Sequence, residues 1–217
     1  MLAIPSTLRK MTSKRTARAV NSRGEGEHLR LEILDAAARL LATSTSRDAV
    51  TLRAIAREAG IAAPSIYPHF PSRDAVLDAV VERTFVELAT FCEAALDSET
   101  TGLARLRAVC EAYIAFARRY PGQYRILFER SESNLSTPAR VYEQGLGAFH
   151  LLERALEQAI AEEGLEKTPA SDAQLIWIAL HGLATLVPAT PGFPWGDRAE
   201  IATRLLAALG YTSQNRL

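Results

Sequence analysis

The sequence is poor in the features that mark several protein classes. Its 217 residues include two cysteines, Cys92 and Cys110, which is too few for a disulfide framework or a cysteine-rich zinc site. Both have apolar neighbours at helical spacing, so we expect buried, unreactive thiols. No run of about 18 apolar residues indicates a membrane span. The N-terminal charges are not followed by the apolar segment of a secretory signal. These absences favour a cytoplasmic protein with no membrane partner.

Catalytic and metal-binding motifs are also missing. The sequence contains no Gly-x-Ser-x-Gly, no glycine-rich phosphate loop and no spacing typical of metal ligands. His181 and the two cysteines lie too far apart to suggest a nucleophile with its base. We therefore expect no metal and no cofactor, and we do not expect an enzyme. A helical hydrolase is the weaker alternative.

The formal net charge is zero, but the charges are unevenly distributed. Residues 1–26 hold six basic residues and one acidic residue, a net charge of +5, and the rest of the chain carries −5. The same segment mixes Ser, Thr, Gly, Arg and Lys without an apolar period, so we expect a disordered basic arm. Such an arm on an acidic body indicates a polyanionic partner at one end. A solvated tail that binds nothing is the alternative.

Apolar residues recur at helical spacing from Glu27 onward, and no segment alternates with the period of a strand. The pattern predicts an all-α protein of about nine helices. Pro188–Gly196, with three prolines and two glycines, is predicted to be a loop. The predicted helices cover about 27–43, 52–59, 63–69, 72–96, 102–119, 124–129, 138–163, 171–187 and 197–209.

Two short predicted helices at residues 51–70 form the most informative segment. Thr51 is a suitable N-cap for the first helix, and Gly60 can adopt the positive φ that a tight turn requires. Ala56 lies where the helices would cross, and its small side chain lets the backbones approach. The residues expected to pack against the preceding helix are Ile55, Ile61 and Ile66. This is the pattern of a helix-turn-helix, whose second helix enters the major groove of DNA.

The second of these helices has side chains suited to DNA contact. Ala62, Ala63 and Ser65 are small enough to let the backbone approach base edges. Tyr67 and His69 combine a ring with a group that can hydrogen-bond to phosphate. Three further candidates flank them: Thr51 and Arg73 for phosphates, and Arg53 for either a phosphate or a guanine.

The segments TLRAIAREAGI, from Thr51, and SIYPHFPSR, from Ser65, resemble the signature of the tetracycline-repressor (TetR) family. The resemblance covers residues 29–75. It implies a homodimeric regulator, usually a repressor, which leaves a palindromic operator in double-stranded DNA when a small molecule binds its body. Pro68 and Arg73 depart from the usual residues of the signature. The DNA contacts implied by position are Thr51, Arg53, Ala63, Ser65, Tyr67, His69 and Arg73.

The resemblance divides the chain into three parts: a basic arm (1–26), a three-helix DNA-binding domain (27–75), and a helical bundle for effector binding and dimerisation (76–217). In the bundle, Trp177, His181 and Gly182 resemble the Trp-x-x-x-His-Gly segment of one family subgroup. Aromatic side chains suit a small hydrophobic effector, although each of them can equally be part of the core. The candidate pocket residues are Tyr113, Phe116, Tyr142, Phe149, Trp177 and His181.

The last two predicted helices correspond to the dimer surface of the family. Both have broad apolar faces, formed by Leu175, Ile178, Leu183, Leu186, Ile201, Leu205, Leu206 and Leu209. Paired across a two-fold axis, they would form a four-helix interface, and a fully internal face is the alternative. We expect the predicted helix 72–96 to couple the body to the DNA-binding domain. The rival function is a constitutive or architectural DNA-binding protein that has no effector.

Overall fold

The computed structural model describes residues 25–44, 47–128 and 138–212, without the side chains of residues 25, 47 and 138–145. The predicted basic arm therefore lies outside the described residues, except for its last two positions. The described ranges contain helices and no strand, which confirms the all-α prediction. The α-helices are α1 (Glu25–Thr43), α2 (Leu52–Glu58), α3 (Arg73–Asp97), α4 (Gly102–Arg119), α5 (Pro121–Phe128), α6 (Pro138–Glu163), α7 (Pro169–Ala189) and α8 (Arg198–Ala208).

The helix predicted at 63–69 is shorter than expected. The structure has a single 3-10 turn over Ala63–Ile66 there, so the described residues hold eight α-helices and not nine. Pro64 lies in the first turn of this segment, where its missing N–H is not needed. Tyr67 already ends the turn by donating its backbone N–H to the Pro64 carbonyl. A second 3-10 turn, Arg47–Ala49, precedes α2.

Two other helix boundaries differ from the prediction because proline was given too much weight as a helix breaker. α5 begins at Pro121, since proline is well suited to the first position of a helix. α7 continues through Pro188 to Ala189. Pro188 lies in the last turn, where the Thr190 N–H still donates to the Leu186 carbonyl at 3.1 Å. The predicted loop therefore begins two residues later than expected.

One continuous core joins the N-terminal helices to the body. α1, α2 and the start of α3 bury Ile33, Ile55 and Ile66 completely. In the body, α4 packs against α3 and α6, and Leu106 and Leu156 have no exposed surface. This packing holds the N-terminal helices in a defined position on the body.

The contact between α4 and α6 is unusually close at Gly102. A β-carbon on this glycine would lie 2.5 Å from the Ala159 backbone nitrogen, so only glycine fits without movement of α6. The Gly102 N–H donates to the Glu162 carboxylate at 2.6 Å. This hydrogen bond lowers the pKa of Glu162. The two helices are thus joined at their ends by a backbone contact and a charged cap.

α7 has an apolar face that the rest of the chain does not cover. Leu175, Ile178 and Leu186 are 53%, 68% and 49% exposed, whereas Leu183 is buried. By its length of 21 residues and its mean hydropathy of 1.3, α7 is the one described helix that could cross a membrane. A fully internal face, the alternative left open by the sequence, is therefore wrong for this part of α7.

Candidate nucleic-acid interface and effector site

The N-cap and the turn of the helix-turn-helix are built as the sequence predicts. The Thr51 hydroxyl accepts the Ala54 N–H at 3.2 Å and so caps α2. Gly60 has a φ of +69°, and the Ile61 N–H returns to the Ala56 carbonyl at 2.9 Å. These contacts close the turn between α2 and the 3-10 segment. The turn fixes the position of residues 63–69, which hold four of the seven predicted DNA contacts: Ala63, Ser65, Tyr67 and His69.

The predicted DNA contacts lie at or near the surface of this motif. Thr51 and Arg53 are exposed, and Tyr67 is 59% exposed although Ile66 beside it is fully buried. Ala63, Ser65 and His69 are half-buried. The buried neighbours fix the backbone, while the ring and hydroxyl of Tyr67 project into solvent. This combination of a fixed backbone and free side chains suits contact with a large partner.

Arg53 and Ala63 are brought together at one open depression between α2 and the 3-10 turn. The other residues that line it are Ala56, Arg57, Gly60 and Ile61. Arg57 was not among the predicted DNA contacts. The signal was available, because residues four apart on a helix share a face, and Arg57 follows Arg53 by four. Two arginines therefore line the depression, next to residues 63–69, which we call the recognition segment.

Arg73 has contacts within the motif that the sequence did not suggest. Its Nε donates to the Val50 carbonyl at 2.7 Å, and its guanidinium lies 3.3 Å from the Asp48 carboxylate. These bonds hold the segment before α2 against the start of α3. The phosphate contact predicted for Arg73 stays a prediction, and the structure adds this internal role.

In the body, four of the six candidate pocket residues meet around Trp177. The centre of its ring lies 4.9 Å from that of Tyr113 and 5.6 Å from that of Phe149. His181, one helical turn further along α7, joins the same cluster through Tyr124. Phe116 instead packs against Phe91 and Tyr120. Tyr142 lies in α6, and its side chain is outside the described part of the structure.

Three polar groups of this cluster form a hydrogen-bonded chain. The hydroxyls of Tyr113 and Tyr124 are 2.8 Å apart, and the Tyr124 hydroxyl lies 2.8 Å from His181 Nδ1. Burial raises the pKa of both tyrosines and lowers the pKa of His181. All three groups are therefore neutral near pH 7. We call Tyr113, Tyr124 and His181 the polar chain.

Tyr124 and Phe128, both on α5, were not among the predicted pocket residues. Phe128 packs edge-on against His181, with 4.4 Å between ring centres. Their spacing of four residues on one helix was a usable signal for a shared face. Tyr124 and His181 are 57 positions apart, so no local pattern in the sequence indicates that they pair.

The other side of α5 is attached to α1. A β-carbon on Gly122 would lie 2.4 Å from the Ala42 β-carbon, so the helices touch at this glycine. The Arg125 guanidinium donates to the Leu41 carbonyl at 2.6 Å and also to the Ser44 carbonyl, at the end of α1. α5 therefore connects the aromatic cluster directly to the N-terminal helices, in addition to the expected route through α3.

Comparison with known protein families agrees with both halves of this geometry. The model described as "Bacterial regulatory proteins, tetR family" matches residues 33–80, and "Tetracyclin repressor-like, C-terminal domain" matches residues 106–209. The chain belongs to the TetR family. TetR-family proteins are DNA-binding regulators, which agrees with the prediction that the chain is not an enzyme. The Trp-x-x-x-His-Gly segment lies inside the second match, and the subgroup it suggests stays a prediction.

Curated TetR-type relatives include nucleoid occlusion factors SlmA. The protein of Vibrio campbellii is 34% identical over 98 residues, which cover 45% of this chain and half of the relative. That of Vibrio cholerae is 28% identical over 138 residues, covering 64% of this chain and 69% of the relative. Among solved structures, the fold matches FadR of Bacillus subtilis in complex with stearoyl-CoA. That match has a TM-score of 0.69 and 18% identity, and covers 82% of this chain and 96% of FadR.

The contact at Gly122 gives a first prediction for this TetR-family chain. Gly122→Ala should lower the free energy of unfolding by about 2 kcal/mol, because the new methyl group must push α5 away from α1. The displaced helix should also lose the Arg125 bonds. Chemical denaturation measures the loss. The control is Gly147→Ala on α6, since a β-carbon there would meet the Ala89 β-carbon at 3.8 Å, an ordinary contact. Equal stability of the two variants would contradict the close packing of α1 and α5.

Proposed function

We propose that this TetR-family protein is a dimeric repressor that binds a palindromic operator and is released by a small hydrophobic effector. The observation that carries the proposal is the exposed recognition segment, in which Tyr67 is 59% exposed directly after the fully buried Ile66. We assign DNA binding to residues 27–75 and effector binding and dimerisation to residues 76–217. The site of action is the cytoplasm, where the nucleoid lies.

The DNA-binding surface combines small residues with a flanking set of donors. Ala63 and Ser65 let the 3-10 turn approach base edges, and Arg53 and Arg57 supply positive charge beside it. Thr51 and Tyr67 offer hydroxyls to the phosphates. His69 and Arg73 extend the phosphate contacts on the side of α3.

Substitution of the exposed DNA-contact residues tests this assignment. Tyr67→Ala and Arg53→Ala should each weaken operator binding by roughly tenfold or more, because each removes a contact worth about 1–3 kcal/mol. The operator is first selected from random duplexes, and a palindrome is the expected product. Fluorescence anisotropy then gives the affinities. Arg107→Ala removes the same charge from an exposed site on α4 and should leave binding unchanged. Wild-type affinity in both test variants would refute the assignment.

Dimerisation is supported by the uncovered apolar face of α7. Its exposed residues, Leu175, Ile178 and Leu186, would be buried if two copies of α7 and α8 packed as a four-helix interface. Half-buried apolar residues on α8 and at its C-terminal cap would extend this interface: Ile201, Leu205 and Leu209. The two recognition segments of such a dimer need a separation of about 34–36 Å to meet successive major grooves.

Effector binding is supported by the aromatic cluster and its attachment to α1 through α5. A ligand that displaced Tyr124 or Phe128 would move the helix that Arg125 fixes to the end of α1. A difference of a few kcal/mol in effector binding between two positions of the DNA-binding domain is enough to release the operator. The stearoyl-CoA complex of the FadR neighbour is a precedent for a largely apolar ligand in this fold.

A constitutive DNA-binding protein without an effector is the second candidate, and the similarity to SlmA favours it. The two functions predict different patterns of bound sites. Chromatin immunoprecipitation should find one or a few operators near promoters if the protein is a repressor. Many sites spread over the chromosome, with no transcriptional change on deletion of the gene, would favour the alternative.

A further inference from the structure

The hydrogen bonds of the polar chain run in one direction, and that direction determines which ring nitrogen of His181 carries the hydrogen. Tyr113 is 2% exposed, and among the described residues its hydroxyl has one hydrogen-bond partner, Tyr124. Tyr124 lies between Tyr113 and His181 Nδ1. Each tyrosine has a single hydroxyl hydrogen to donate. Three arrangements of the hydrogens are therefore consistent with both hydrogen bonds in a neutral chain.

In the first arrangement, Tyr113 donates to Tyr124 and Tyr124 donates to Nδ1. Every hydroxyl hydrogen then has an acceptor. In the second, Nδ1–H donates to Tyr124 and Tyr124 donates to Tyr113. The buried Tyr113 hydrogen would then have no acceptor in the described structure. In the third, Tyr113 and Nδ1–H both donate to Tyr124, and the hydrogen of the buried Tyr124 hydroxyl would have no acceptor there. A buried donor without a partner costs more than an unused lone pair, so the first arrangement is favoured.

The first arrangement leaves the hydrogen of the imidazole on Nε2. Burial lowers the pKa of His181, which keeps the ring neutral with a single N–H. Among the residues described, Nε2 has no hydrogen-bond partner, and it is not one of the buried polar atoms sealed from solvent. The half-buried ring of Phe128 packs against the imidazole, and the half-buried rings of Trp177, four residues earlier on α7, and Phe149 pack on each other. The result is one fixed, accessible donor beside an aromatic cluster.

We propose that the effector is an apolar molecule with a hydrogen-bond-accepting oxygen, and that this oxygen binds His181 Nε2–H while the apolar part packs on the surrounding rings. Tyr124 acts as a positioning residue, since the hydrogen that it donates to Nδ1 holds the imidazole in the donor form at Nε2. Tyr113 supports it by donating to Tyr124, which leaves the Tyr124 hydrogen for Nδ1. The inference rests on the proposed effector site and specifies its ligand. It excludes an effector whose sole polar group is a donor, such as an ammonium.

The tautomer is measured first, without any ligand. In a nitrogen-15 long-range correlation spectrum at pH 7.5, His181 should show an unprotonated Nδ1 and a protonated Nε2. Tyr124→Phe removes the hydroxyl that donates to Nδ1 at almost constant shape, so the population with Nδ1 protonated should rise. Tyr113→Phe leaves that donor in place and should keep the hydrogen on Nε2. A protonated Nδ1 in the wild type, or an unchanged tautomer in Tyr124→Phe, would overturn the argument from direction.

Two isosteric probes then test the ligand class. 2-Acetylnaphthalene carries a carbonyl oxygen where 2-isopropenylnaphthalene carries a methylene group, and neither probe has a donor. Because one hydrogen bond separates them, the ketone should bind roughly threefold to tenfold more tightly, and it alone should shift the Nε2–H resonance. In His181→Phe, which keeps a ring, the preference should vanish. Equal affinity of the wild type for the two probes, or no binding of either probe, would reject the proposed ligand class.

The effect of the ketone on operator affinity is a separate measurement. A ketone that binds at Nε2 without weakening operator binding would refute the proposed release mechanism while the ligand assignment stands. Release of the operator by a compound that leaves the Nε2–H resonance unchanged would refute the ligand assignment while the release mechanism stands.

Discussion

Gly102→Ala should lower the free energy of unfolding by about 3 kcal/mol, because the added methyl group has no space between α4 and α6. Its β-carbon would lie 2.5 Å from the Ala159 nitrogen and 2.6 Å from its α-carbon. Both atoms belong to the backbone, so no side-chain rotation relieves the overlap. The helices must separate, and the bond from the Gly102 N–H to Glu162 would lengthen with them. Urea denaturation, monitored by circular dichroism, measures the loss.

Gly147→Ala on α6 is the matched control for Gly102→Ala. Its β-carbon would meet the Ala89 β-carbon at 3.8 Å, an ordinary contact. Alanine favours the helix over glycine, so this variant should gain about 0.5–1 kcal/mol. The same substitution thus has opposite signs at two sites. A Gly102→Ala protein as stable as the wild type would show that α4 and α6 are not packed this closely.

Ile178→Asp should convert the proposed dimer into monomers and weaken operator binding roughly thirtyfold or more, the effect expected of an interface residue worth about 2 kcal/mol or more. Ile178 is 68% exposed in the single chain, so the monomer fold should tolerate the change. In the dimer, its carboxylate would be buried without a partner. Sedimentation equilibrium measures the mass, and anisotropy measures binding to the selected operator.

Val86→Asp is the corresponding control. Val86 is 59% exposed but lies on α3, outside the proposed interface. This variant should keep the mass and the affinity of the wild type. An Ile178→Asp protein that remains dimeric would place the interface elsewhere, and a monomer with full operator affinity would remove the need for a dimer.

Local sequence was sufficient to predict most of the fold, because helices depend on apolar period and caps. Thr51, Ser72 and Thr101 accept backbone N–H groups at the starts of α2, α3 and α4. Two of the errors came from proline. Pro121 begins a helix and Pro188 lies inside the end of one. Whether proline breaks a helix depends on its position in the turn, and residue type alone does not give that position.

The site residues also differ in whether local sequence could predict them. Those of the helix-turn-helix follow each other within one short segment, so spacing alone could predict Arg53 and Tyr67. The effector cluster joins α4, α5 and α7, and its partners are fixed by how these helices pack. Sequence predicted Tyr113 and His181 as members but could not predict that Tyr124 would link them. The second role of Arg73, on Val50 and Asp48, also depends on contacts more than 20 residues apart.

The two buried cysteines make the body a reporter of its own unfolding. Burial raises the pKa of Cys92 to about 12, and that of Cys110 rises further. At pH 7, far fewer of these thiols are therefore reactive thiolates in the folded state than in an unfolded chain. An alkylating dye would react when α3 and α4 separate and would otherwise leave the protein unlabelled. The labelling rate then counts opening events in the core without an engineered probe.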